Sequence, residues 1–119
     1  MGEKYFHYTS RQIAQEIIIS GYLKPTSVGG RIYLTQDTFE NGAEAAKRLS
    51  ILGKPIEVVC VIPADKVKDK IENLKPYHID DIIGPNGEIL RPGCGQEYFT
   101  YPDKEIEVKE CHWYDLPTP

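Results

Sequence analysis

Ile56-Glu57-Val58-Val59-Cys60-Val61-Ile62 constrains the fold of this chain more than any other stretch, because every residue but Glu57 is apolar and most are β-branched. Branched side chains are stiff at χ1 and favour a pleated backbone. A near-continuous apolar run of this length reads as a strand buried within a sheet rather than lying at its edge. Pro63 follows and ends the strand, since it has no amide to give to a ladder. The run is therefore expected at the centre of a sheet.

The flanking segments supply its neighbours. Residues 5–9, Tyr5-Phe6-His7-Tyr8-Thr9, read as a short strand, and Ser10 is a good N-cap for a helix over residues 11–20 that Gly21 stops. Ile13 and Ile17, with Ala14 and Ile18, give that helix one apolar face, and Arg11, Gln15 and Glu16 point away. Residues 22–25 run extended into the loop Thr26-Ser27-Val28-Gly29-Gly30 and then a strand over 31–35. Asp37 or Thr38 can cap a second helix over 39–52, with Ala43, Ala46, Leu49 and Leu52 near helical spacing and Gly53 as its stop.

A short polar helix is expected within 63–72, and mostly loop over 73–92 with a turn at Pro85-Asn86-Gly87. Gly93 and Gly95 let the chain turn into an aromatic strand, Glu97-Tyr98-Phe99-Thr100-Tyr101, and a turn at Pro102-Asp103 closes it. Glu105-Ile106-Glu107-Val108-Lys109 alternates as a half-exposed hairpin partner should, and 111–114 extend it. The whole, residues 1–119, is expected to be one α+β domain.

At 119 residues the chain is large enough to bury a core without disulfides or a structural metal. A net charge of −4 and a pI near 5.3 argue against broad nucleic-acid binding and leave only a local basic patch open. Cys60, Cys94 and Cys111 are an odd set without a CxxC pair, which points to free thiols in a reducing compartment; with His78 or His112 they match no zinc spacing. No stretch approaches the roughly 20 apolar residues that cross a bilayer. The charged start Met1-Gly2-Glu3-Lys4 leads into no signal-peptide core, and Phe6 stands where a myristoylation signal needs Ser or Thr. A soluble protein acting in the cytoplasm is the expectation, with no membrane partner and no metal.

Three strand-borne residues stand out: His7 in Phe6-His7-Tyr8-Thr9-Ser10, Tyr33 in Gly30-Arg31-Ile32-Tyr33-Leu34-Thr35, and Glu97 at the head of the aromatic strand. Each alone has an ordinary reading, as a strand histidine, a core tyrosine and a solvated strand end. Their order and contexts resemble the His-Tyr-Glu class of ADP-ribosyltransferases, which includes diphtheria toxin and the poly(ADP-ribose) polymerase catalytic fold. Small bacterial polymorphic-toxin domains look most similar, with His-Tyr-Thr-Ser, a helix, an Ile-x-x-Ser-Gly-x-Leu-x-Pro segment matched by residues 17–25, a glycine loop and Ile-Tyr-Leu-Thr. Glu97-Tyr98-Phe99-Thr100-Tyr101 resembles the Glu-Tyr-hydrophobic-hydrophobic-Tyr strand of the polymerase-like members.

The resemblance implies two small packed, mostly antiparallel sheets around an NAD cleft with two flanking helices. It implies NAD as substrate, release of nicotinamide, and transfer of ADP-ribose to a macromolecular acceptor, protein or nucleic acid. Glu97 would be catalytic, stabilising positive charge on the ribose. His7, with Tyr8 and Thr9 beside it, would orient the other ribose and the carboxamide, and Tyr33 would stack on the nicotinamide. The loop through Gly30 and Arg31 would approach the pyrophosphate, and Phe39 would stand in for a second aromatic that some relatives carry where this chain has Glu44-Ala45-Ala46.

Arginine-modifying members place Glu or Gln two residues before the catalytic glutamate; here Gly95 holds that place, and Gln96, one residue off, should face away. A toxin or effector delivered into a target cell is implied, with a cognate immunity protein or antitoxin as candidate partner. The competing readings are an NAD or ADP-ribose binding module without turnover, an NAD glycohydrolase, an RNA 2′-phosphotransferase, and a plain structural domain. The phosphotransferase needs a basic cluster, and Arg11, Arg31, Arg48 and Arg91 are scattered in sequence. The segment 73–92, with Tyr77, His78, Asp80, Asp81 and Arg91, is the expected acceptor-facing surface.

Overall fold

A computed structural model describes residues 3–26, 28–49, 55–73, 75–78, 82–91 and 96–117. The apolar run forms strand β4 (Val58–Pro63), flanked by β1 (Lys4–Thr9) on one side and β10 (His112–Asp115) on the other, all antiparallel. It is thus central, as its composition requires. The register sets His7 opposite Cys60 and Tyr8 opposite Val59. Alternation along β4 then feeds two cores. Cys60 and Ile62 join Ile17, Leu34, Val67 and Ile106 on one face, and Val59 joins Tyr8, Ala45 and Leu116 on the other.

Helix α1 (Arg11–Ser20) closes the first core and α2 (Gly42–Arg48) the second. The Ser10 hydroxyl accepts from the Ile13 amide at 3.2 Å, and Gly21, left-handed at φ 79°, donates to the Ile17 carbonyl at 2.7 Å. Ala14 and Ile17 are buried, but Ile18 is exposed together with Ile19, so the apolar face is narrower than its spacing predicts.

Helix α2 starts later than expected. Its N-cap is Asn41, whose Oδ1 accepts from the Glu44 amide at 2.8 Å, whereas Asp37 accepts from the Gln96 amide. At Gly42 a Cβ would lie 1.7 Å from the Ile56 carbonyl oxygen, so only glycine lets the helix approach the chain entering β4. Ala45 takes the buried position and Ala43 is exposed. The expected stop at Gly53, Leu52 with it, lies outside the described residues.

Strand β8 (Gln96–Phe99) lies between β3 (Tyr33–Leu34) and β5 (Tyr77–His78), again antiparallel. Within the segment expected as loop, β6 (Ile82–Ile83) and β7 (Ile89–Arg91) form a hairpin, its turn at Pro85-Asn86-Gly87 with Gly87 at φ 81°. Residues 64–66 form one 3₁₀ turn in place of the short polar helix.

Strand β9 (Ile106–Glu107) is no hairpin partner of β8. It pairs with β2 (Tyr22–Leu23), and β10 is a separate strand on β4. The described residues therefore form four antiparallel sheets rather than two. The class is α+β, with two α-helices among the described residues. No described helix is long and apolar enough to cross a membrane.

Candidate active site

Strands β1 and β3 touch at one point. The Phe6 amide donates to the Thr35 carbonyl at 2.6 Å and the Thr35 amide returns a bond to Phe6 at 3.0 Å. Beyond this bridge the strands part. Backbone groups alternate sides along a strand, so those of Tyr8 point the same way as those of Phe6, away from β4, and have no backbone partner among the described residues. The Thr9 carbonyl turns the other way and accepts from the Glu57 amide at 3.0 Å.

His7 spans the gap, with its Nδ1 3.1 Å from the Tyr33 carbonyl. A carbonyl only accepts, so Nδ1 carries the proton and Nε2 is left as an acceptor. Burial lowers the pKa of the ring, and the bond to the Tyr33 carbonyl opposes this in part. His7 is therefore neutral at pH 7.

The opening between the strands is a cavity of about 840 Å³, lined by His7, Tyr8, Thr9, Arg31, Tyr33 and Glu97 and floored by Ile13 and Ile17 of α1. Glu97 reaches it because β8 pairs Tyr33 with Phe99, and alternation sets Glu97 and Phe99 on one face. Gln96 and Tyr98 take the opposite face. Tyr98 packs edge-on against Tyr5, ring centroids 5.1 Å apart, and Gln96 is exposed and does not line the cavity.

Side chains clamp the backbone around Glu97. The Thr35 hydroxyl donates to the Gln96 carbonyl at 2.6 Å, and Asp37 Oδ2 accepts from the Gln96 amide at 2.8 Å. Asn73 accepts from the Phe99 amide at 2.8 Å through Oδ1 and donates to the Glu97 carbonyl at 3.2 Å through Nδ2. Thr35 closes the Ile-Tyr-Leu-Thr stretch, whereas Asp37 and Asn73 carry no motif, and only the Ser/Thr/Asn/Asp preference for bonding backbone groups could have hinted at the role of any of the three. Burial raises the pKa of the Glu97 carboxyl, which is half-buried.

A second, smaller cleft of about 420 Å³ adjoins the first and shares Arg31, Tyr33 and Glu97 with it, adding Glu72 and Phe99. Arg31 donates through Nε and Nη2 to the same oxygen of Glu72, at 3.1 and 2.9 Å, with Cζ 5.6 Å from the Phe99 ring centre. Tyr33 is 52% exposed and its ring centre lies 6.3 Å from that of Phe99. Arg31, expected to approach a pyrophosphate, is thus committed to an ion pair.

Gly30 does not line either cavity. Asp103 clamps its loop, its carboxylate accepting from the Gly29 amide at 2.7 Å and its amide donating to the Gly30 carbonyl at 3.0 Å. Phe39 belongs to the core, edge-on to the Tyr8 ring at 5.2 Å. The Tyr8 hydroxyl donates to the Asp37 carbonyl at 2.9 Å, so its ring is spent on packing and its backbone is what faces the cavity.

Of the segment expected to face an acceptor, Asp80 and Asp81 lie outside the described residues, as do the side chains of Tyr77, His78 and Arg91. No group of three or more His, Cys, Asp or Glu among the described residues could hold a metal. Burial pushes the Cys60 thiol up to about 12, which leaves it a packing residue rather than a nucleophile. No family model, curated protein or solved structure matches the chain.

Proposed function

We propose that this protein is an ADP-ribosyltransferase that cleaves NAD at the bond between nicotinamide and ribose and passes ADP-ribose to a macromolecular acceptor. The observation that carries the reading is that His7, Tyr33 and Glu97, from three strands far apart in sequence, line one cavity of about 840 Å³. That volume falls in the roughly 300–1,000 Å³ range of small-molecule sites. We read the α+β arrangement as an ADP-ribosyltransferase fold on the same ground.

Each group has a task suited to its state. The bare Nε2 of neutral His7 accepts from a ribose hydroxyl without repelling the cationic pyridinium. The Tyr8 amide and carbonyl offer a donor and an acceptor to a carboxamide, which presents the complementary pair. The open face of Tyr33 stacks on the nicotinamide ring, a cation–π contact worth roughly 0.5–2 kcal/mol.

Glu97 acts on the transition state. As the glycosidic bond breaks, its electron pair leaves with nicotinamide and positive charge grows on the ribose. A carboxylate short of water stabilises that charge more strongly than a solvated one. The toxin or effector setting follows from the motif resemblance, and it adds an immunity protein or antitoxin as a candidate partner.

Labelled NAD incubated with the folded protein and cell lysate is the test. Release of nicotinamide with label joined to a macromolecule is the expected result. A folded protein that does neither refutes the reading.

A further inference from the structure

We infer that the cleft formed by Arg31, Tyr33, Glu72, Glu97 and Phe99 is the acceptor site, and that it takes a nucleobase of a single-stranded nucleic acid. The inference rests on the transferase reading. Glu97 and Tyr33 line both cavities, so a group seated in the smaller one lies across Glu97 from the larger. An acceptor has to approach the ribose carbon that nicotinamide leaves. Glu97, gripping that ribose, fixes where the approach opens.

Charge narrows the class of acceptor. Glu72 and Glu97 repel an acidic side chain. The pairing of Arg31 with Glu72 leaves Glu97 as the unpaired charge of the cleft, and the positive ribose that Glu97 serves answers it, so the acceptor needs no charge of its own. Its other walls are the half-exposed Tyr33 ring and the Phe99 ring, set 58° apart, and flat faces of this kind favour stacking by a planar heterocycle.

The polar edge has the complementary pattern. Both Arg31 bonds fall on Oε1 of Glu72, so Nη1 of Arg31 and Oε2 of Glu72 have no partner among the described residues. Each can meet a polar group of a base, the first a carbonyl or ring nitrogen and the second an N–H. A serine or water acceptor uses neither the stacking walls nor this edge. The net charge of −4 supplies no broad field for phosphates, so stacking and the polar groups of the cleft have to supply the recognition of the base.

In the transfer, the bond from ribose C1′ to the pyridinium nitrogen breaks and its pair returns to neutral nicotinamide. A nitrogen of the base donates a lone pair to C1′ and forms the new bond. The proton it sheds passes to Glu97 or to water. No oxidant or further reactant is needed.

The test offers labelled NAD with single-stranded DNA and RNA oligonucleotides, and separately with lysate protein freed of nucleic acid. Label is expected on the oligonucleotide with a preference among bases. Glu72→Gln and Phe99→Leu should cut that transfer by ~10-fold or more, as loss of a paired edge or a stacking wall does, and leave nicotinamide release into water unchanged. Label on protein alone, cleavage with neither acceptor labelled, or oligonucleotide labelling indifferent to both variants overturns the assignment.

Calorimetric titration with the same oligonucleotides separates this inference from the reading beneath it. Binding that both variants weaken supports the base site even if NAD is never cleaved. Absence of binding beside intact NAD cleavage overturns the base site and leaves the transferase reading standing.

Discussion

The sheet around β4 and the sheet around β8 are built on opposite principles. Val59, Cys60 and Ile62 of β4 are fully buried between two cores and need nothing but packing. Strand β8 has no fully buried residue, and its backbone is fixed instead by Thr35, Asp37 and Asn73. Hydrophobic burial holds without direction, whereas hydrogen bonds hold at a set angle and distance. The first region supplies stability and the second supplies aim. Removing a group from each should therefore fail in different ways.

The largest effect is expected at the packed sheet. Ile62→Ala should cost about 2–5 kcal/mol in chemical denaturation, and the fraction that stays folded should turn over NAD as before. A loss of turnover in the folded fraction would erase the division of labour. Next comes Glu97→Gln, expected to slow nicotinamide release by at least ~10²-fold. A fully active variant would remove Glu97 from the chemistry.

The same substitution sharpens the contrast through stability. A carboxyl whose folded pKa is raised stabilises the fold below its ordinary value of 4.5, and this contribution is lost as pH climbs through the folded value. At pH 7 the buried charge thus works against folding. Glu97→Gln should melt higher than the parent at neutral pH, with the gap closing below about pH 4.5. A variant that melts lower at pH 7 would show that Glu97 is a structural residue.

Asn73→Ala should cost about 1–3 kcal/mol by orphaning the Phe99 amide, and it should slow turnover through misplaced Glu97 while NAD binding persists. Loss of binding and rate in equal measure would mean general collapse of the site. The smallest effect belongs to His7. Its folded pKa is lowered, so its contribution is present above the ordinary value of 6.5 and is lost as pH falls towards the folded value. His7→Gln should flatten the decline of stability just below pH 6.5, which urea titrations at stepped pH would read.

Local patterns were legible where local physics decides. Ser10 and Gly21 bound α1, the apolar run became β4, and the turn at Pro85-Asn86-Gly87 sits where its residues demand. Alternation alone separated Glu97 from Gln96. The misses depend on distant partners. Residues 39–41 stay out of α2 because Asn41, extended, caps it through the Glu44 amide, and β9 pairs with β2, where the Val108 amide finds the Gly21 carbonyl. Phe39 was a plausible ring for the site, yet the Tyr8 ring draws it into the core. Asn73 offered only the general taste of asparagine for backbone groups, since the bonds that fix β8 reach 24 and 26 residues ahead.

The parting of β1 and β3 after the Phe6–Thr35 bridge has one further consequence. Counting from that bridge, Tyr33 is the residue that would zip onto Tyr8 if the ladder ran on. A primary carboxamide has the donor and acceptor of a peptide unit, so a ligand carrying one fills the place of a missing strand residue. Occupancy is then a form of sheet completion, and the Tyr8 amide should exchange its proton with solvent more slowly once NAD is bound.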